Sequence, residues 1–140
     1  MRVWQIVVLY VMLYIQYIDQ QKGQSMSISW GKRQRFKFNA GGTLSSWAPP
    51  MLPAVYAITY KQDPANKPKA HTVLFFGQAD DLSQQAVRSH NHVLDFWANN
   101  GGDESELFVF ILAMPDSTRW ERSSVQEQLV SEYNPDCNRY

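Results

Sequence analysis

The chain has 140 residues, with thirteen acidic and thirteen basic side chains. This length suits one small domain that buries its own core. A composition of 44% hydrophobic and 19% charged residues excludes a disordered or low-complexity protein. The only cysteine, Cys137, excludes an intrachain disulfide and forms no zinc-binding pattern with the three histidines.

Charge is distributed unevenly along the chain. Residues 1–70 contain nine Lys or Arg and two acids, whereas residues 71–140 contain four Arg and eleven acids. Such a split indicates either an acidic or nucleic-acid partner, or attraction between the two halves inside one fold.

The first segment, residues 1–25, is dominated by an apolar tract from Val3 to Ile18. As a helix this tract would be about 24 Å long, which is short of the roughly 20 residues that span a bilayer. Three interpretations stay open: a membrane anchor, an extra packed element, or a segment upstream of a true start at Met26. Cations follow the tract, so an anchored domain would face the cytoplasm. We expect a cytoplasmic protein, or one anchored in the inner membrane through Val3 to Ile18.

The second segment, residues 26–52, combines a basic and aromatic stretch with a proline-rich lead-in. Between Ile28 and Asn39, cations alternate with aromatic residues, which predicts a half-buried strand. Cations neutralise phosphates and aromatic rings stack on bases, so this strand is the candidate nucleic-acid-binding element. Its four candidate residues are Lys32, Arg33, Arg35 and Lys37. The alternative is an edge strand whose cations prevent aggregation.

The third segment, residues 53–140, predicts alternating strands and helices. Ala54–Lys61 and His71–Phe76 form a hairpin, and the apolar run Leu107–Ala113 predicts a central strand. Helices are predicted from about residue 81 to 99 and from about residue 118 to 133, the second with a capping box at its start and Pro135 after its end. The expected fold is α/β, with a small three-stranded sheet flanked by helices and with the basic strand and apolar element added at the N-terminus.

Four short motifs in the third segment follow the order found in GIY-YIG nuclease domains. They are Pro53–Ile58, Phe75–Gln78, Asp81–Leu82 and Tyr133–Asn138. Their joint spacing resembles that family over residues 53–138. Members of the family cut a phosphodiester with one divalent metal, so the resemblance implies a nuclease scaffold that would use Mg²⁺ or Mn²⁺ if it were active.

Neutral side chains occupy most of the catalytic positions that the resemblance implies. The family's first tyrosine corresponds to Tyr56 and its late asparagine to Asn138, and both are kept. Its second tyrosine corresponds to Phe75, its arginine to Gln85 and its metal-binding glutamate to Gln126. Attack on a phosphodiester builds negative charge, and losing one preorganised electrostatic group costs a factor of about 10² to 10³ in rate.

Neighbouring residues offer a way to rescue the site. The family's histidine falls near Ser89 or His90. Arg88 and His92 lie on the same predicted helix as Gln85, and Glu127, the only candidate metal ligand, is one residue from the glutamate position. An active enzyme would have to use these substitutes.

We therefore expect a catalytically inactive GIY-YIG-like domain without a cofactor, which acts as a binding or interaction module with DNA or RNA as the expected partner. A rearranged metal-dependent endonuclease and a membrane-tethered interaction domain are the alternatives. Ordinary structural roles also stay open: a core tyrosine for Tyr56, a core histidine for His90 and a tie for the C-terminus at Asn138. Arg119 and Arg122 are expected on a solvated helix face.

Overall fold

The computed structural model describes residues 3–22, 26–61, 71–84 and 91–139. Three candidate site residues, Gln85, Arg88 and His90, lie outside the described residues. In chain order the elements are α1 (Val3–Lys22), β1 (Ser27–Trp30), β2 (Phe36–Thr43), β3 (Ala54–Lys61), β4 (His71–Ala79), α2 (Asn91–Asn99), β5 (Leu107–Ala113) and α3 (Arg119–Tyr133). Single 3₁₀ turns lie at Glu104–Glu106 and Asp136–Asn138.

One antiparallel sheet contains five strands in the order β1-β2-β5-β3-β4. The predicted α/β class is confirmed, but the predicted three-stranded sheet is not, because β2 pairs with β5 and brings β1 with it. The expected hairpin of β3 and β4 is present, and β5 lies in the middle of the sheet, as its apolar run predicts.

The predicted basic strand from Ile28 to Asn39 is confirmed from Phe36 to Asn39, within β2, but it is not one continuous strand, because the chain turns at residues 31–35. Residues 31–35 connect β1 to β2, and these strands together form what we call the β1–β2 hairpin. Gly31 has a φ of 122°, and a Cβ there would lie 1.8 Å from the Gln34 carbonyl oxygen. Only glycine fits this position, so Gly31 dictates the turn.

The sheet is curled around a cluster of aromatic rings. In a flat sheet, four strand spacings of about 4.8 Å would separate the edge strands β1 and β4 by about 19 Å. The ring centroids of Trp30 in β1 and Phe76 in β4 are nevertheless 5.9 Å apart. Phe38 and Phe110 lie in the same cluster, at 5.2 Å and 5.5 Å from Trp30. Curling therefore brings the β1–β2 hairpin close to the opposite edge of the sheet.

The two C-terminal helices contribute to different clusters of the core. Leu129 of α3 packs with the aromatic cluster, whereas Val93 of α2 packs with the core that contains Tyr56. The predicted capping box of α3 is confirmed, since Thr118 accepts a hydrogen bond from the backbone of Glu121 at 3.1 Å. Of the helix predicted from residue 81 to residue 99, residues 82–84 form a turn and Asn91–Asn99 form helix α2.

The apolar tract forms helix α1. Eight of its large apolar side chains between Ile6 and Ile15 are 40–56% exposed. A cleft of about 400 Å³ lies between α1 and the residues Leu52, Asp80 and Ser117. Within the described ranges, no helix combines the length and apolar character that crossing a membrane requires.

Candidate functional site

Tyr56 is a core residue in β3. It is 1% exposed, and it pairs in register with Gly77 of β4. A Cβ on Gly77 would lie 2.4 Å from Cζ of Tyr56, so the ring lies directly against the glycine. A catalytic hydroxyl must contact the substrate, and the Tyr56 hydroxyl is buried away from the surface.

Phe75 and His92 extend the ring packing from Tyr56 toward α2. The centroids of Tyr56 and Phe75 are 6.1 Å apart, and the edge-to-face contact between Phe75 and His92 is 5.2 Å. Phe75 and His92 are both half-buried. Tyr56, Phe75 and His92 are therefore close together in the structure, and the contacts between them are those of packed rings.

Gln126 and Asn138 converge on the backbone of Phe76 in the edge strand β4. The Phe76 N–H donates to Oδ1 of Asn138 at 2.8 Å, and Nδ2 of Asn138 donates to the Phe76 carbonyl at 3.0 Å. Nε2 of Gln126 donates to the same carbonyl at 2.9 Å. Both amides therefore form hydrogen bonds with backbone groups at the free edge of β4, where a strand of another chain could otherwise pair with the sheet.

The described residues supply few candidates for metal chemistry. Glu127 is exposed on α3 and lies about 100° around the helix from Gln126. Across the described ranges, no three His, Cys, Asp or Glu side chains are grouped so that they could hold a metal ion. Burial, with the charge of Asp136, raises the pKa of the buried Cys137 thiol to about 11, so this thiol stays protonated at neutral pH.

Arg122 is buried, which makes the prediction of a solvated helix face wrong for this residue. It is 3% exposed. Its guanidinium donates to the carbonyl and hydroxyl oxygens of Ser117 at 2.8 Å and 2.7 Å, to Gln78 at 3.2 Å, and to the carboxylate of Asp80. Arg122 thereby joins the start of α3 to the end of β4.

The sequence contained a signal for this burial. Arg122, Val125 and Leu129 are spaced three and seven residues apart, which places them on the core-facing stripe of a helix. Arg119 is 72% exposed, as predicted, and pairs with Asp80 at 3.1 Å. Its hydrogen bond and charge, followed by those of Arg122, lower the pKa of Asp80.

The turn of the β1–β2 hairpin is fixed to the C-terminal end of α3 through its backbone. The Gly31 N–H donates to the Tyr133 hydroxyl at 2.7 Å. The N–H groups of Lys32 and Arg33 donate to Oε1 and Oε2 of Glu132 at 2.8 Å and 3.0 Å. These hydrogen bonds, the Lys32 contact first, lower the pKa of Glu132 and keep it ionised.

All four cations of the hairpin are exposed. Nζ of Lys32 lies 5.6 Å from the centroid of the Tyr133 ring, and Arg33 donates to Gln128 at 3.1 Å. Arg35 donates to the Ser29 carbonyl on the edge strand β1 at 3.1 Å. The four cations therefore lie together on the β1–β2 hairpin, and Lys32, Arg33 and Arg35 contact neighbouring residues through their side chains.

His71 is a half-buried titratable group at the start of β4. Its Nδ1 lies 2.7 Å from Oγ1 of the buried Thr59. Its ring packs edge-to-face against Phe108 and Phe110, and among the described residues Nε2 has no hydrogen-bond partner. Burial, with the charge of Lys61, lowers the pKa of His71 to about 4.

Comparison of this chain with family models, with curated proteins and with solved structures finds no match. The GIY-YIG resemblance accordingly depends on the sequence motifs.

Proposed function

We propose that this chain is a GIY-YIG-like domain that has lost its catalytic constellation and binds nucleic acid through the β1–β2 hairpin. The observation that carries the proposal is the set of four exposed cations on the β1–β2 hairpin, whose turn is bonded to α3 through the Gly31 N–H and the Tyr133 hydroxyl. Cations gathered on one hairpin can neutralise neighbouring phosphates of a nucleic acid.

Three features of the candidate site support the loss of catalysis. The Tyr56 hydroxyl is buried, and Phe75 has no hydroxyl. Gln126, at the position of the family's metal-binding glutamate, carries a neutral amide that is bonded to the β4 backbone together with the amide of Asn138. The runner-up is a rearranged endonuclease that uses Tyr56, Arg88, His92 and Glu127 with Mg²⁺ or Mn²⁺.

The proposal predicts weak, sequence-independent binding that depends on salt. Fluorescence anisotropy with labelled DNA or RNA should give a slope of log K against log salt of about −3 to −4, since about four phosphates are neutralised. Lys37→Ala should make this slope shallower by about 1. Lys61→Ala, a lysine on β3 outside the hairpin, is the matched control and should leave it unchanged.

Two results would contradict the proposal. One is an affinity that does not change with salt, or that survives replacement of all four hairpin cations by Ala. The other is metal-dependent cutting of DNA by the unmodified protein that Glu127→Gln abolishes, because this would establish the endonuclease alternative.

A second proposal, contact of α1 with a lipid surface, is favoured by its eight exposed apolar side chains. Such a surface is unfavourable in water at about 25 cal/mol per Å². Co-sedimentation with phosphatidylcholine vesicles should capture the full chain and leave a chain of residues 26–140 in the supernatant. Equal sedimentation of both chains would exclude this role.

A further inference from the structure

The turn of the β1–β2 hairpin presents two consecutive backbone N–H groups to one carboxylate. Lys32 and Arg33 donate to the two different oxygens of Glu132, at 2.8 Å and 3.0 Å. Successive backbone N–H groups of a turn that bind the same anionic group form a nest, a concavity that binds anions and is common at phosphate sites. Glu132 is therefore an internal anion that already occupies a nest.

The two residues that form this nest also carry cationic side chains. Lys32 and Arg33 supply the two N–H groups and also carry exposed positive charges. The Arg33 guanidinium donates to Gln128, one helical turn before Glu132. An oxyanion bound by the two backbone groups would thus lie beside the cations that the proposed function assigns to phosphate binding.

The position of Glu132 in α3 does not account for a negative charge there. Glu132 is the residue before the last in α3, where the helix dipole disfavours an anion. The two N–H donors, with a further hydrogen bond from Gln128 at 3.2 Å, offset this cost. Because its side chain is long and only half-buried, the carboxylate can leave the nest without movement of α3.

We propose that the nest at Lys32 and Arg33 is a phosphate-binding site that Glu132 keeps closed, and that a phosphate group of the nucleic acid takes the place of the Glu132 carboxylate. The inference rests on the proposed function, which supplies the phosphate. Carboxylates and phosphates both offer paired oxygens to two N–H donors. A tethered carboxylate competes at high effective concentration, so the closed nest weakens binding of polyanions.

The test is Glu132→Ala in the full chain, titrated with inorganic phosphate while the backbone amide resonances of Lys32 and Arg33 are followed by NMR. Both resonances should shift, with an affinity at least about tenfold tighter than in the unmodified protein, which is the contribution of one charge-assisted hydrogen bond. Asp95→Ala removes the same charge from α2 and should behave like the unmodified protein.

A purely structural role for Glu132 predicts the opposite result, a loosened hairpin and weaker binding. Glu132→Gln keeps the size of the side chain and decides the question if Glu132→Ala disorders the turn, because phosphate must then still bind more tightly than in the unmodified protein. Phosphate that shifts neither amide in either variant overturns the nest. Phosphate binding without any binding of DNA or RNA would instead refute the proposed function and leave the nest in place.

Discussion

Substitution of Gly77 by alanine tests whether Tyr56 is packed in the core. An added methyl group would lie 2.4 Å from Cζ and 2.5 Å from Oη of Tyr56, and 2.8 Å from Cε2 of Phe75. Tyr56 is 1% exposed, so its ring is enclosed by the core. We expect Gly77→Ala to lower the free energy of unfolding by about 1–3 kcal/mol, the usual cost of overpacking. This cost should exceed the roughly 0.5–1 kcal/mol that alanine gains over glycine inside a strand.

A double-mutant cycle with Tyr56→Leu isolates the contact. Leucine lacks the Cζ and Oη atoms, whereas the close approach to Cε2 of Phe75 remains, so in this background Gly77→Ala should cost less and the coupling should be about 0.5–2 kcal/mol. Urea denaturation at pH 7 measures all four proteins. A cost that is equal in both backgrounds would refute the packing argument. The argument that core packing excludes a catalytic role for Tyr56 would then lose support.

Three further predictions concern stability and are measured by urea denaturation. Arg122→Ala should lower the free energy of unfolding by about 2–3 kcal/mol, which is less than the loss of a fully buried pair because Asp80 is 56% exposed. Arg119→Ala should lower it by less than about 1 kcal/mol. Equal losses in the two variants would contradict the burial of Arg122. The pKa of His71 is lowered from 6.5 to about 4, so only the unfolded chain gains its proton between these values and stability falls as the pH drops through this window. After halving for partial exposure, the loss from pH 7 to pH 5 is about 1 kcal/mol, and it should vanish in His71→Leu. Asn138→Ala should cost about 1–3 kcal/mol through two lost hydrogen bonds to the β4 backbone, and a neutral result would show that the strand edge needs no cover.

The sequence by itself determined the elements whose signals lie within a few residues. The limits of α3 follow from the Thr118 capping box and from Pro135, which lies just beyond its left-handed C-cap. The apolar run of β5 and the polar turn between β3 and β4 predicted a central strand and a hairpin. These signals are reliable because capping, alternation and turn formation involve neighbours along the chain.

Only the tertiary structure decided that β1 and β2 join the sheet and which residues the candidate site residues contact. Residues far apart in the sequence set these features: Glu132 meets the Lys32 backbone across 100 positions, and Asn138 meets Phe76 across 62. The motifs aligned Gln126 and Asn138 with family positions, but the sequence contained no sign that both amides bond to one strand edge. Arg122 looked solvated because a charged side chain is usually exposed, and its burial depended on partners in β4 and in the turn before α3. Local sequence patterns determine the conformation of a few neighbouring residues. The hydrogen-bond partners of Arg122, Gln126 and Asn138 depend on which distant segments the curled sheet brings together.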